Sequence, residues 1–158
     1  EYLAESYLNF SISKFDYSLK KQIKNDKKIF SIDTGLINFV SFLFAPDSGR
    51  ILENVVFLEL KRRGKEIYYY LGVGGCDFLI KEGREIIEAI QVTENFSAGN
   101  EKREISGLME AATKHNVKKL LVLTRNQDCE ITVGGKKITV QPIYKWLMEK
   151  ISNRSYAL

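Results

Sequence analysis

An α+β fold around a mixed central sheet is predicted by three features of the 158-residue sequence. A strongly helical stretch follows residue 50, three strand-like segments rich in Tyr, Ile and Val come after it, and a second helical stretch ends in a short apolar run. The implied order is α, β, β, β, α, β. A hydrophobic content of 44% supplies a core of ordinary size for one domain with a small appended module.

Taken in order, Leu3, Tyr7, Leu8 and Phe10 form a short helical stripe that runs into a β-like segment, and residues 15–18 are extended or turning. Residues 19–28 are polar and basic. Residues 28–32 have strand composition, Asp33-Thr34-Gly35 supplies turn chemistry, and residues 36–44 are apolar at helical spacing. Ala45-Pro46-Asp47-Ser48-Gly49 is the best boundary in the chain, dividing an N-terminal segment, residues 1–46, from a main domain, residues 47–158. There Leu52, Val55, Val56 and Leu60 keep helical spacing, basic residues fill the last turn, and Gly64 stands where a helix cap is wanted. Residues 66–71, 76–81 and 85–93 read as a meander, with turns at 72–75 and around Gly83. Ile105, Leu108, Met109 and Ala112 mark a helix over 101–115, and residues 118–124 suit a buried strand. Residues 131–140 fold back about Gly134-Gly135, and Pro142 precedes a last helix carrying Ile143, Trp146, Leu147 and Ile151.

Composition excludes some classes. The longest uncharged stretch, 34–46 with its apolar part at 36–46, is too short to span a bilayer. Cys76 and Cys129 lie far apart without CxxC spacing, which argues against a disulfide framework or structural zinc and fits a reducing cytoplasm. The net charge of +4 permits an acidic partner without demanding one, and its even spread leaves no basic tail. Residues 2–8 read as helix interior with neither initiator Met nor N-cap, as expected of a piece of a longer protein.

Among residues able to carry chemistry, Gly72, Gly74 and Gly75 lack the GxxxxGK[ST] pattern of a phosphate loop. His115, the single histidine, sits beside Lys114 at a helix end, where a solvated position is favoured over a general base or metal ligand. Cys76 has no cationic activator and reads as a small buried hydrophobe. The acidic group is more informative. Glu53 near the start of the main helix, Asp77 near the start of the second strand, and Glu88 and Gln91 on the third offer hard oxygen ligands of the kind that hold Mg²⁺ or Mn²⁺. Hairpin register decides which of them meet. A three-residue turn ending at Gly83 pairs Ile80 with Arg84 and puts Asp77 on the face of Ile87, Ala89, Gln91 and Thr93. A two-residue turn at Glu82-Gly83 instead puts Glu88 opposite Asp77. Each has a plainer reading: Glu53 as a helix-start acid, Asp77 as the ion-pair partner of Lys81 or an arginine, Gln91 and Thr93 as the polar face of a strand. Lys20, Lys21, Lys24, Lys27 and Lys28 form a cationic run that tracks phosphates or simply faces solvent. Tyr68, Tyr69 and Tyr70 are expected to bury at least one ring.

The run Leu52-Glu53-Asn54-Val55-Val56-Phe57-Leu58-Glu59-Leu60-Lys61-Arg62-Arg63-Gly64, with Ile67-Tyr68-Tyr69-Tyr70, Cys76-Asp77-Phe78-Leu79-Ile80 and Ile90-Gln91-Val92-Thr93, resembles the C-terminal domain of a family of archaeal and bacterial AAA+-type ATPases. Upstream, Tyr17-Ser18-Leu19-Lys20-Lys21-Gln22 and Lys28-Ile29-Phe30-Ser31-Ile32-Asp33-Thr34-Gly35-Leu36 resemble the segment joining the ATPase part to that domain. The resemblance implies an incomplete winged-helix-like segment over 1–46. Over 47–158 it implies a restriction-endonuclease-like αβββαβ core of the PD-(D/E)XK superfamily. In that superfamily a helix Glu, a strand Asp and a Glu-x-Lys on the next strand bind metal and orient the attacking water. Glu53 matches the helix Glu, Asp77 the strand Asp, Gln91 the second Glu and Thr93 the Lys. Catalysis would then use Mg²⁺ or Mn²⁺ held by Glu53, Asp77 and Gln91. Gln91 brings no charge and Thr93 no cation, so either Glu88, Lys81 or Lys102 stands in, or the site is catalytically dead.

The function implied is a nucleic-acid-directed, nuclease-like domain serving an ATPase, contacting DNA through Lys20, Lys21, Lys24 and Lys102, cytoplasmic and without a membrane partner. With no Walker motif in this stretch, ATP hydrolysis is not expected of it, and homo-oligomerisation is left open. The competing reading is a non-catalytic protein-interaction module of the ATPase that keeps only the fold.

Overall fold

The computed structural model describes residues 8–35, 48–97 and 99–149. The stripe through Leu3 and Tyr7, the helical stretch at 36–44, most of the boundary at 45–47 and Ile151 lie outside them. Strand β1 (Asn9–Ser13) pairs antiparallel with β2 (Lys27–Ser31), and the short helix α1 (Leu19–Lys24) lies between them in the chain. Helix α2 (Ser48–Arg62) leads into a meander of β3 (Glu66–Tyr70), β4 (Cys76–Glu82) and β5 (Glu85–Val92). Helix α3 (Glu101–His115) then crosses to β6 (Lys119–Thr124), which runs parallel to β5. The hairpin of β7 (Cys129–Val133) and β8 (Lys136–Pro142) and helix α4 (Ile143–Met148) follow. The six strands are ordered β3-β4-β5-β6-β8-β7, with β6 parallel to both neighbours, so the sheet is mixed as expected.

Alternation along the central strands makes two cores, one on each face of the sheet. Leu79, Ala89, Leu120 and Val122 pack with Ile105, Leu108, Ala111 and Ala112 of α3. Phe78, Ile80, Ile90, Leu121 and Leu123 pack with Val56, Phe57 and Leu60 of α2 and Trp146 of α4. Helix α2 begins at Ser48, so the Ser48-Gly49 pair expected in the boundary turn is helical. That extra turn matters, because it carries Arg50 to the site described below.

The N-terminal hairpin shares the second core. The Phe30 ring stacks on Phe57 with centroids 4.2 Å apart, and Ile12 is buried in the same cluster. Asn54, 2% exposed, accepts a bond from the Ser31 N–H and donates one to the Ser31 carbonyl, both at 2.9 Å. The Tyr69 hydroxyl donates to the Asp26 carbonyl at 2.6 Å. These contacts fix β2, and with it Lys28, against α2 and β3.

Hairpin β4–β5 adopts neither register that turn chemistry offers. Gly83, at φ +60°, and Arg84 link the paired residues Glu82 and Glu85, and a bulge between Ile86 and Glu88 then shifts the ladder by one. Ile80 therefore faces Glu88, Phe78 faces Ile90, and the next positions along are Asp77 and Gln91. A bulge adds a residue that alternation does not reveal, so the turn alone could not set the pairing.

His115 is the other correction. It is half-buried instead of solvated, edge-on to Phe15 at 5.0 Å and to Tyr70 at 5.7 Å, with the Tyr17 hydroxyl 3.3 Å from Nδ1. Burial, and after it Lys114, lowers its pKa. Phe15 and Tyr17 arrive from the stretch before α1, a long-range neighbour that helix spacing cannot show.

Candidate functional site

The start of β4, the end of β5 and the first turns of α2 and α3 enclose an open cleft of about 650 Å³. Glu53, Asp77, Gln91, Thr93 and Glu104 line it, with Arg50 and Arg103. Lys28 of β2 is not in that lining but meets two of its carboxylates from behind. Its ammonium contacts Glu53 Oε1 and lies 2.9 Å from Asp77 Oδ1. It also lines two adjoining cavities of about 290 and 430 Å³, one shared with Asp77 and Gln91, the other with Arg50 and Glu53.

Register accounts for the rest of the network. Asp77 Oδ2 accepts the Val92 N–H at 3.0 Å, and Gln91 Oε1 accepts the Asp77 N–H at 3.2 Å. The Gln91 amide donates to Glu104 Oε2 at 2.7 Å, and the other oxygen of Glu104 pairs with Arg103. Thr93 is turned to its own loop, donating to the Asn95 carbonyl at 3.2 Å and accepting from Asn100 Nδ2 at 3.4 Å.

Two carboxylates thus share one ammonium. Burial, and after it the charge of Asp77, pushes the Glu53 carboxyl up to about 7, against the pull of Lys28. Burial works against the Lys28 charge as well, yet Asp77 and Glu53 together hold its pKa above the ordinary lysine value. Removing the ammonium from this partly buried group would leave two carboxylates desolvated without compensation, whereas removing the charge of one carboxylate relieves their repulsion.

The structure brings Glu53, Asp77 and Gln91 together, with Thr93 at the edge. Glu88 pairs with Lys119 at 2.9 Å and Lys81 with Glu66 at 2.8 Å, so neither reaches Asp77. Lys102 is exposed and lies outside the cleft lining, which takes its neighbour Arg103 instead. Lys20, Lys21 and Lys24 are exposed on α1, also outside that lining. The cation that reaches Asp77 is Lys28, which the sequence shows only as one of five in a basic run; its separation from its neighbours follows from strand alternation, with Lys27 outward and Lys28 inward. Arg50 and Glu104 were likewise not singled out, lacking any motif of their own.

The glycine loop holds no phosphate cradle. Its Val73 and Gly74 N–H groups donate to Glu110 of α3 at 2.8 and 3.3 Å, and Tyr70 donates to the same carboxylate at 2.8 Å. Cys76 is buried, its thiol pushed up by burial and by Asp77.

The donors implied for Mg²⁺ or Mn²⁺ do not fit a divalent ion as they are arranged. Only Glu53 and Asp77 converge, and they converge on Lys28, while the Gln91 oxygen is committed to a backbone N–H. Among the described residues no three His, Cys, Asp or Glu side chains are grouped to hold a metal. No helix among them is long and apolar enough to cross a membrane.

No protein-family model matches the chain, and no solved structure matches it. Its relatives include an uncharacterized protein of Methanocaldococcus jannaschii, 37% identical over 158 aligned positions that cover 92% of this chain and 34% of that protein. An uncharacterized protein of Haemophilus influenzae is 28% identical, over 93% of this chain and 35% of that protein. The chain spans about a third of the length of these curated relatives.

Proposed function

We propose that this chain is the restriction-endonuclease-like C-terminal domain of a cytoplasmic AAA+-type ATPase, directed at nucleic acid and carrying a degenerate phosphodiesterase site. One observation carries the reading: Glu53 of α2, Asp77 of β4 and Gln91 of β5, distant in sequence, line one open cleft together with Arg50 and Arg103. The order α2-β3-β4-β5-α3-β6, with β5 parallel to β6, supports the nuclease-like core. Degeneracy is supported by the neutral amide of Gln91, the hydroxyl of Thr93 and the lysine between the two carboxylates. The arginines give phosphates a cationic approach, and Lys28 offsets carboxylates that would otherwise repel them.

The test is fluorescence anisotropy of single-stranded, double-stranded and branched DNA at graded salt, beside a Mn²⁺ cleavage assay with Asp77→Ala as control. Binding that strengthens steadily as salt is diluted, without cleavage above the control, is the expected result. Undetectable binding at low salt overturns the nucleic-acid reading. Cleavage abolished by Asp77→Ala overturns the degeneracy.

A second reading, a protein-interaction module of the ATPase, is favoured by Leu19 and Ile23, one turn apart on α1 and 73% and 77% exposed, and by Ile29 at 70% on β2. On that reading Ile23→Ser weakens association with the remainder of the intact protein, supplied separately, and leaves DNA affinity unchanged.

A further inference from the structure

We infer that Lys28 is the resident cation of the Glu53–Asp77 pair, its ammonium occupying the point on which the two carboxylates converge and closing that point to a divalent metal ion. The inference rests on the degenerate-site reading and supplies its physical cause. A divalent ion bound by these carboxylates needs their oxygens within about 2.0–2.6 Å. Lys28 Nζ already stands in contact with Glu53 Oε1 and 2.9 Å from Asp77 Oδ1, so ion and ammonium exclude one another.

The lysine is held there by its backbone. Ser31, on the same short strand, is bonded twice to Asn54 of α2, and Phe30 stacks on Phe57. The ammonium also lies 5.9 Å from the centre of the Phe78 ring, so its position is supported from β4 as well. Neighbouring groups are committed elsewhere: Asp77 Oδ2 and Gln91 Oε1 each accept a backbone N–H, and the Gln91 amide is turned to Glu104. The element opposite matters equally. Lys28 comes from the N-terminal hairpin, so the segment that resembles a linker completes the site of the main domain. Binding of a polyanion in this cleft is therefore independent of metal.

The experiment is a Mn²⁺ titration of the whole chain, followed by electron paramagnetic resonance and by thermal unfolding, on the wild type and on Lys28→Met. The wild type is expected to show no binding tighter than millimolar and no change in Tm. Lys28→Met is expected to bind at least tenfold more tightly and to regain lost Tm on adding Mn²⁺. Should Lys28→Met not fold, Lys28→Gln, which keeps a donor toward the carboxylates, takes its place. Micromolar Mn²⁺ binding by the wild type, or no gain in either variant, overturns the inference. DNA affinity measured in parallel with EDTA and with Mn²⁺ separates the two claims: equal affinities support the inference, affinity only with Mn²⁺ overturns it while sparing the nucleic-acid reading, and no affinity in either overturns that reading by itself.

Discussion

Glu53 and Glu110 are both helix carboxylates that reach across to a strand end, and they are held in opposite ways. Glu110 receives three donors, the Tyr70 hydroxyl and two loop N–H groups. Its pKa is lowered, first by Tyr70 and then, against some desolvation, by Gly74 and Val73. Glu53 is half-buried beside Asp77 and shares the Lys28 ammonium with it, with a weaker pull from Arg50, and its carboxyl rises to about 7. Donors per carboxylate, as much as burial, decide the direction. The first arrangement closes a loop; the second sets two carboxylates against the Lys28 ammonium.

Each arrangement depends on a close backbone seating, and breaking the seatings gives the largest effects. A Cβ on Gly107 of α3 would lie 1.6 Å from the Gly75 carbonyl oxygen, so the helix rests directly on the loop that Glu110 closes. Gly107→Ala is expected to cost about 3 kcal/mol in urea unfolding; a loss under about 1 kcal/mol would show that the helix can slide away freely. Asn54 is the corresponding seat for Lys28. Asn54→Ala strands the Ser31 N–H and carbonyl and is expected to cost about 2 kcal/mol, with the hairpin amides of β2 exchanging faster than those of β4.

How far the sequence foretold this differs between fold and site. Helix spacing and strand composition located the six core elements, because several residues of each carry the same apolar pattern. Register was lost at Ile87, where one bulged residue leaves no mark in the alternation, although Gln91 still came to the face of Asp77. Glu53 and Asp77 were identifiable as charged residues in apolar surroundings. Lys28 was not, because the choice between a surface lysine and a site lysine is made by packing of the hairpin, through Phe30 and Asn54, across long sequence distances. That a carboxylate from residue 110 fills the glycine loop is again a long-range fact.

A smaller, pH-dependent effect sharpens the comparison at Glu53. A carboxyl raised in the folded protein contributes stability that is fully present below its ordinary pKa, near 4.5, and is lost as pH climbs through about 7. Glu53→Gln should therefore flatten the decline of stability between pH 5 and 8, and at pH 8 should gain on the order of 2 kcal/mol over the wild type at that pH. Denaturation midpoints across that range check it; an unchanged slope would mean that Lys28 fully compensates the two charges.

The smallest effect belongs to Glu110, and its sign is the reverse. A carboxyl lowered in the folded state contributes stability present above its ordinary pKa and lost as pH falls through the folded one, so its pH dependence, unlike the bond itself, appears only in acid. Glu110→Gln keeps one oxygen acceptor while removing the charge. Hydrogen exchange at Val73 and Gly74 should quicken at pH 7 in that variant, whereas exchange in β4 should stay as it was, because the core around Leu79 does not depend on the loop bond. Equal quickening in both places would instead make Glu110 part of the global unfolding unit, and the contrast between a local clasp and a charge-balanced cleft would collapse.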